Sequence, residues 1–166
     1  MKALADSLDI INRSVGHGVR WCALFMVLLQ FGIVLLRYVF GVSFIFLNEG
    51  VLYLHSALFM LGAGYTLLVD RHVRVDIFYA GATERRKAAI DLFGHIFFLA
   101  PAMGILLFYS WPSVRRSWSI FEGPISVGGI PASFLLKSLI PAFCILLLIQ
   151  GLACLFRDVI RWRTSE

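Results

Sequence analysis

The sequence lacks the motifs with which most enzymes hold phosphate, a metal or an activated nucleophile. It has no phosphate-binding Gly-rich loop, no metalloprotease motif and no Ser/His/Asp constellation. Its three cysteines form no C-x-x-C pair and are odd in number, which argues against a disulfide framework and against a zinc site. We therefore predict that the chain is not an enzyme and holds no cofactor or metal of its own.

Charged residues are scarce as well, at 15% of the chain, whereas hydrophobic residues reach 60% and the mean hydropathy is +0.85. Soluble domains contain only about 45 to 50% apolar residues, and roughly 20 consecutive apolar residues span a bilayer. Segments of that kind occupy residues 19–40, 44–68, 88–111 and 131–156. We predict an all-α integral membrane protein, a single membrane domain over residues 1–166 with four transmembrane helices in the lipid bilayer.

The net charge of +5 comes from Lys and Arg residues that lie beside the ends of the spans rather than in one stripe. This distribution argues against nucleic acid as a partner and follows the tendency of positive residues to stay in the cytoplasm. Most of them lie on the side of the two termini, so we predict that both termini are cytoplasmic.

The segment before the first span has apolar residues at helical spacing. This pattern predicts a short amphipathic interfacial helix over about residues 3–15. Asp6 and Asp9 interrupt the segment, so we expect no cleavable signal peptide.

The second span carries polar and small residues on two faces. At about 100° per residue, one face has Asn48, Leu52, His55, Ser56, Phe59, Gly62, Ala63 and Thr66, and the opposite face has Gly50, Tyr53, Ala57 and Gly64. Small residues allow membrane helices to approach closely, and polar side chains bond across such contacts. The second span is therefore predicted either to be the central helix or to turn one face to another protein.

Ionisable residues near the outer ends of the spans have several possible partners. Arg37 and Glu49 lie within about two turns of the tip of the hairpin formed by the first two spans, so they can pair. Alternatively, Arg37 reaches lipid phosphate and Glu49 is protonated or faces water. Lys137, roughly two turns into the fourth span, either extends to the outer interface or meets Glu49.

Two histidines support a second interpretation, in which the chain is a haem-binding or other membrane anchor of a redox complex. His55 and His95 are predicted at similar depths, so neighbouring antiparallel helices can place both imidazoles on one haem. Asp91 lies four residues before His95 and is the alternative partner of that imidazole.

The number of spans also bears on transport. Secondary transporters usually contain internal repeats and helices that are broken at mid-membrane, where half-helix ends bind substrate and ions. Four mostly continuous helices provide neither feature. The chain is therefore expected to be a subunit of a larger assembly rather than a transporter by itself.

A set of residues in a particular order resembles a known family. The set consists of Arg37-Tyr38-Val39-Phe40, Glu49, the run His72-Val73-Arg74-Val75-Asp76, Trp118, Glu122 and Lys137. The sequence resembles the small membrane subunit, of DctQ type, of the tripartite ATP-independent periplasmic (TRAP) transporters. It departs from many members just before Glu49, where Phe46-Leu47-Asn48 replaces a Trp-containing acidic segment.

The resemblance implies a bacterial inner-membrane protein bound to a large TRAP permease subunit, which moves substrate by an elevator-like motion driven by a sodium gradient. It also implies a periplasmic substrate-binding protein that delivers a small organic acid or related solute. The chain would act as scaffold for the large subunit. The residues that the resemblance marks as structural or interface residues are Arg37, Glu49, His72, Arg74 and Asp76, with Trp118 and Glu122 near the docked binding protein.

Overall fold

The computed structural model describes residues 2–71 and 81–164, and the regular structure in these ranges is entirely helical. The elements are α1 (Lys2–Val39), α2 (Ile45–Leu68), α3 (Glu84–Gly94), a π-helical segment (His95–Leu99), α4 (Ala100–Ser119) and α5 (Ser133–Thr164). The α3, π-helical and α4 segments form one continuous third span, Glu84–Ser119. Four helices are long and apolar enough to cross a membrane, which confirms the predicted all-α fold.

The first helix is continuous from Lys2 to Val39, so the predicted separate helix over residues 3–15 is instead the first part of α1. The spacing of apolar residues alone does not show which side of this segment is buried, because the buried residues near the start of α1 include Asp9 and Asn12. Leu4 and Ile11, two of the apolar residues at helical spacing in this segment, are 61% and 43% exposed. The side of this segment that packs inside the molecule therefore carries Ala5 together with the polar residues Asp9 and Asn12.

A tight connection joins α1 to α2. Gly41 has φ +68°, a conformation that glycine adopts without steric cost, and the N–H of Val42 donates to the carbonyl of Leu36 at 3.1 Å. The chain then reverses and α2 packs along α1. This is the helical hairpin that the short connection predicts.

The third span contains a π-helical turn directly before Pro101. The N–H of Ala100 donates to the carbonyl of His95, five residues earlier. Proline lacks an N–H and its ring collides with the carbonyl four residues before it, and a wider turn accommodates both effects. Pro112 lies inside α4, which continues to Ser119, so the helix extends beyond the predicted apolar span of residues 88–111.

The fourth span, α5, is the helix around which the others pack. It packs against α1, α2 and every segment of the third span, whereas the backbones of the described parts of α2 and the third span do not approach each other closely. Its fully or nearly fully buried residues include Cys144, Leu147, Gln150 and Ala153. The prediction that the second span is the central helix is therefore wrong, and its alternative, a face of that span turned to another protein, stays open.

Candidate functional site

The inner face of α2 packs closely against α1 and α5. Glu49 and Gly64 are buried on this face. A Cβ atom at Gly64 would collide with Oδ1 of Asn12 on α1 and would lie 3.3 Å from Cβ of Leu146 on α5. Gly64 is therefore a position at which α2 closely approaches both α1 and α5, and a larger residue there would separate the helices.

The opposite face of α2, which we call the outer α2 face, consists of Asn48, Leu52, His55 and Phe59 and is exposed. Leu52 is 43% and Phe59 is 68% exposed. The amide of Asn48 donates to the backbone carbonyl of Phe44 at 3.0 Å, within its own helix. His55 lies in the middle of this face, halfway along a membrane-length helix.

A groove of about 540 Å³ continues the outer α2 face between α1, α2 and α5. Its α2 wall contains small residues, among them Gly62, Ala63 and Thr66. A Cβ at Gly62 would meet no atom of the described residues within 4 Å, so packing among these residues does not require a glycine at this position. The backbone of α2 is therefore accessible along the groove.

The carboxylate of Glu49 binds the outer connection between α4 and α5. It accepts hydrogen bonds from the backbone N–H of Ser126 at 3.0 Å and of Ile130 at 2.7 Å. Gly129 lies so close to this carboxylate that an added Cβ would collide with it. The structure thus gives Glu49 backbone partners, and neither Arg37 nor Lys137 forms an ion pair with it among the described residues.

Glu122 forms a second anchor in the same connection. Its Oε2 atom accepts hydrogen bonds from Nζ of Lys137 and from Oγ of Ser117, each at 2.5 Å. The Lys137 ammonium, and next the Ser117 hydroxyl, hold the pKa of the Glu122 carboxyl below its usual value. Both contacts join the connection to the start of α5 and the end of α4.

Trp118 adds an aromatic contact to this anchor. Its Nε1–H donates to Oγ of Ser138 at 2.7 Å, and its ring centroid lies 4.7 Å from that of Phe134. Trp118 and Glu122, which the resemblance placed near a docked binding protein, therefore bond to α5 of the same chain. Trp118 nevertheless remains 43% exposed.

A polar cluster that sequence reasoning missed lies between α1 and α5. Asp9 accepts two hydrogen bonds from the guanidinium of Arg157, at 2.6 and 2.8 Å, and one from the amide of Gln150 at 3.0 Å. The amide of Asn12 donates to Oε1 of Gln150 at 3.0 Å. One signal was present in the sequence, because Gln150 and Arg157 are seven residues apart and so share one face of the last span.

His95 and Asp91 each lie within ion-pair distance of a residue of α5. Nδ1 of His95 lies 3.3 Å from Oδ2 of Asp158, and Asp91 lies 3.7 Å from the guanidinium of Arg161. The predicted alternative partner of His95 was Asp91, four residues earlier. In the structure, the acidic residue beside His95 is instead Asp158, which lies on α5.

The redox interpretation required His55 and His95 to face each other. His55 is exposed on the outer α2 face, whereas His95 faces α5, which lies between the two helices. The geometry for two axial imidazoles on one haem is therefore not formed by the described residues, and this interpretation is not favoured.

Three residues of the predicted interface set, His72, Arg74 and Asp76, lie outside the described residues. Of the others, Glu49, Trp118, Glu122 and Lys137 come together around the connection between α4 and α5, while Asp91 and His95 lie on the third span against α5. Arg37 is exposed at the end of α1. Asn48 and His55 remain on the outer α2 face.

Comparison with known proteins connects this arrangement to a family. The family described as "Tripartite ATP-independent periplasmic transporters, DctQ component" matches residues 26–161. No curated protein and no solved structure showed significant similarity. The matched residues run from the first span to the last turns of α5. The chain therefore belongs to the DctQ family, as the small membrane subunit of a tripartite transporter that also contains a large permease and a substrate-binding protein.

Proposed function

We propose that the chain is the fixed scaffold of a sodium-coupled transporter and that its outer α2 face, with the adjoining groove, binds the large permease subunit. The observation that carries this proposal is a face of a membrane-spanning helix that combines exposed His55 and Asn48 with accessible Gly62. Lipid tails would offer no hydrogen bonds to the polar side chains on that face.

The physical support comes from the cost of polar groups in hydrocarbon. Polar and ionisable side chains within membrane spans face protein or water, because lipid tails offer them no hydrogen bonds. An imidazole at His55 is such a group, and a helix of a second protein can supply its partner. Leu52 and Phe59 on either side would add apolar contact area.

The groove supports the same face for a different reason. Helices associate in membranes through small residues that let backbones come close, and Gly62 and Ala63 line the groove. Because no described atom fills the space next to Gly62, packing among the described residues does not require a glycine there, and a neighbouring helix of another protein can use that space. The exposed His55 and the open space beside Gly62 lie on the same face of α2.

The role of the assembly follows from family membership. We infer that the large subunit moves the substrate by an elevator-like motion driven by a sodium gradient, while this chain enlarges the fixed part and holds it in the bilayer. A periplasmic binding protein delivers a small organic acid or related solute. The distribution of Lys and Arg supports an inner-membrane location with both termini in the cytoplasm.

The proposal is tested by placing a bulky residue in the groove. Gly62→Leu should lower the amount of large subunit that co-purifies with the tagged chain at least tenfold, a loss of about 1.4 kcal/mol in binding free energy. Gly104→Leu is the matched control. Gly104 is exposed in α4, and an added Cβ there would also meet no described atom within 4 Å. It belongs to the third span, whose backbone does not closely approach that of α2 among the described residues.

His55→Leu tests the polar part of the same face and should also reduce co-purification and substrate uptake. Both variants should unfold at the temperature of the wild-type chain, because neither residue is required inside it. Unchanged recovery of the large subunit with Gly62→Leu and His55→Leu, or an equal loss with Gly104→Leu, would overturn the proposed interface.

A further inference from the structure

The connection between α4 and α5, residues 120–132, exposes a cluster of large apolar side chains. Val127 is 94% exposed, and Ile120, Phe121 and Ile125 are each more than half exposed. Large exposed apolar patches mark contacts with protein or with membrane, because burying apolar surface away from water is favourable. The chain crosses a bilayer, so lipid is an apolar phase that this surface can reach.

The connection carries little charge and lies beside aromatic rings. Its one charged residue, Glu122, forms an ion pair with Lys137 at 2.5 Å, so the pair is neutral as a whole. Trp118 is 43% exposed, and its ring packs near those of Phe121 and Phe134. Tryptophan is enriched where the lipid headgroups meet the acyl chains. Both features are typical of a segment at a membrane interface.

Several backbone polar groups of the connection are satisfied within the chain. The N–H groups of Ser126 and Ile130 donate to the carboxylate of Glu49, and Pro124 and Pro131 have no N–H. A loop in water can bond to the solvent, whereas an unsatisfied backbone group near hydrocarbon costs free energy. The interface still contains water, which can accept hydrogen bonds from other N–H groups of the connection. These backbone contacts therefore suit the interface.

The neighbours of the connection on α1 and α2 show how deep it lies. Glu49, which binds its backbone, is one turn into α2. A Cβ atom at Gly50 would lie 3.1 Å from Cδ2 of Leu29 on α1 and 4.0 Å from Cδ1 of Ile130. Beyond Leu29, α1 continues to Val39 before the hairpin turns. The connection therefore packs against the sides of two spanning helices and does not project beyond their ends.

Two arginines near the end of α4 indicate the level of the headgroups. Arg115 and Arg116 are exposed, about one turn before α4 ends at Ser119. Arginine side chains near the ends of membrane helices bury their carbon stems and extend their guanidinium groups to the interface. The connection that follows α4 thus lies at the level of the headgroups and outside the hydrocarbon core.

We propose that the connection between α4 and α5 lies in the interfacial region of the bilayer, where its exposed apolar side chains contact lipid and Glu49 holds its backbone. Apolar side chains of interfacial segments enter the boundary between headgroups and acyl chains by about 5 to 10 Å. The connection in turn covers the Glu49 carboxylate. The proposal is independent of the outer α2 face, because Glu49 is buried on the opposite side of α2.

The test measures the membrane depth of a nitroxide spin label at residue 127. Cys22, Cys144 and Cys154 are first replaced by alanine, and Val127→Cys then carries the label. The chain is studied alone and bound to its large subunit, in liposomes of phosphatidylethanolamine and phosphatidylglycerol. Oxygen concentrates in lipid and a nickel chelate stays in water, so the ratio of their collision rates with the label reports depth.

Two reference positions calibrate this ratio. Thr83→Cys places the label at the exposed N-cap of α3, beside a run of charged residues, and should report water. Phe108→Cys places it on a side chain that is 74% exposed within α4 and should report lipid. The ratio at residue 127 should exceed that at Thr83 severalfold, both with and without the large subunit. Circular dichroism and recovery of the large subunit check the fold and assembly of each variant.

Glu49→Ala tests the contact that holds the backbone of the connection. Without the carboxylate, the N–H groups of Ser126 and Ile130 lose their acceptor and need water instead. The ratio at residue 127 should therefore fall towards that at Thr83. Gln30→Ala, which removes an exposed polar side chain of α1, is the control and should leave the ratio unchanged.

Three results would overturn the proposal. A ratio at residue 127 equal to that at Thr83 would place the connection in water. A label that collides with neither reagent once the large subunit is bound would assign the apolar surface to that subunit. An unchanged ratio in Glu49→Ala would show that the carboxylate does not hold the connection in the interface.

Discussion

Asp9 is a carboxylate that is only 7% exposed, at the start of a helix long enough to span a membrane. A buried charge is costly unless it is paired and hydrogen-bonded. The two N–H groups of Arg157 and the amide of Gln150 meet that requirement from one side of α5. The pair thereby joins α1 to the helix around which the molecule packs.

Asp9→Ala should destabilise the chain by about 1 to 3 kcal/mol, since it leaves the buried amide of Gln150 without its acceptor and Arg157 without its carboxylate. Unfolding by heat or denaturant in detergent measures the change. Asp6→Ala is the control, because Asp6 is exposed three residues earlier on the same helix. Equal midpoints for both variants would contradict the assigned role of Asp9.

Glu122 should make the outer connection sensitive to acid. Since Lys137 and Ser117 lower its pKa, the ionised carboxylate stabilises the fold fully above its usual pKa of 4.5. That contribution is lost as the pH falls further and passes the lowered pKa. Fluorescence of Trp118, which packs on Phe134, should report the transition below pH 4.5.

Lys137→Met removes the main cause of the lowered pKa of Glu122. The same fluorescence transition should then occur at a higher pH, closer to the usual value. A transition at the same pH in both proteins would show that Lys137 does not stabilise the ionised carboxylate.

At the scale of elements, Glu49 connects α2 to a segment that has no regular structure of its own. The connection between α4 and α5 spans residues 120–132, and its backbone N–H groups at Ser126 and Ile130 both donate to this one carboxylate. Backbone groups that are not in a helix need partners elsewhere, and Glu49 supplies two. The outer end of α2 thereby orders the connection.

Glu49→Ala should accelerate hydrogen exchange at the Ser126 and Ile130 amides by more than tenfold. Hydrogen bonds to charged groups contribute about 1.5 to 3 kcal/mol, and local opening limits exchange of such amides. Asn48→Ala is the control, because the neighbouring Asn48 bonds only within α2 in the described structure. Unchanged exchange in Glu49→Ala would mean that the connection is ordered by other contacts.

At the scale of the whole molecule, three of the helices form one packed group, and the third span is added to it at one side. The helices α1, α2 and α5 all pack against one another, while among the described helices the backbone of the third span approaches only that of α5 closely. Most of the buried polar contacts described above lie where α5 meets a neighbour. The packed group formed by α1, α2 and α5 carries the outer α2 face.

The chain by itself in liposomes should transport no substrate, with or without a sodium gradient. Its helices are mostly continuous, and a substrate site in such transporters needs broken helices and repeated units. Uptake of labelled organic acids into liposomes containing this chain, compared with liposomes containing the whole assembly, provides the measurement. Sodium-dependent uptake by the chain alone would contradict the assignment as a scaffold.

Several features could be predicted from residues without coordinates. The lengths of the apolar runs predict four spans, and the short connection after Phe40 predicts the hairpin. The small and polar residues of the second span predict two distinct faces, and the buried Gly64 and exposed His55 do lie on different sides. Helical spacing and apolar length are local properties, so a sequence carries them directly.

Other features depend on which helix faces meet. Nothing in the spacing of Asp9 shows that it meets Arg157, 148 residues later, and helical depth alone placed His55 beside His95 although α5 lies between them. The sequence by itself determined the membrane class, the number of spans and the family resemblance. Only the tertiary structure decided that α5 is the central helix, because the packing order depends on close fit between distant surfaces rather than on the hydropathy of any one segment.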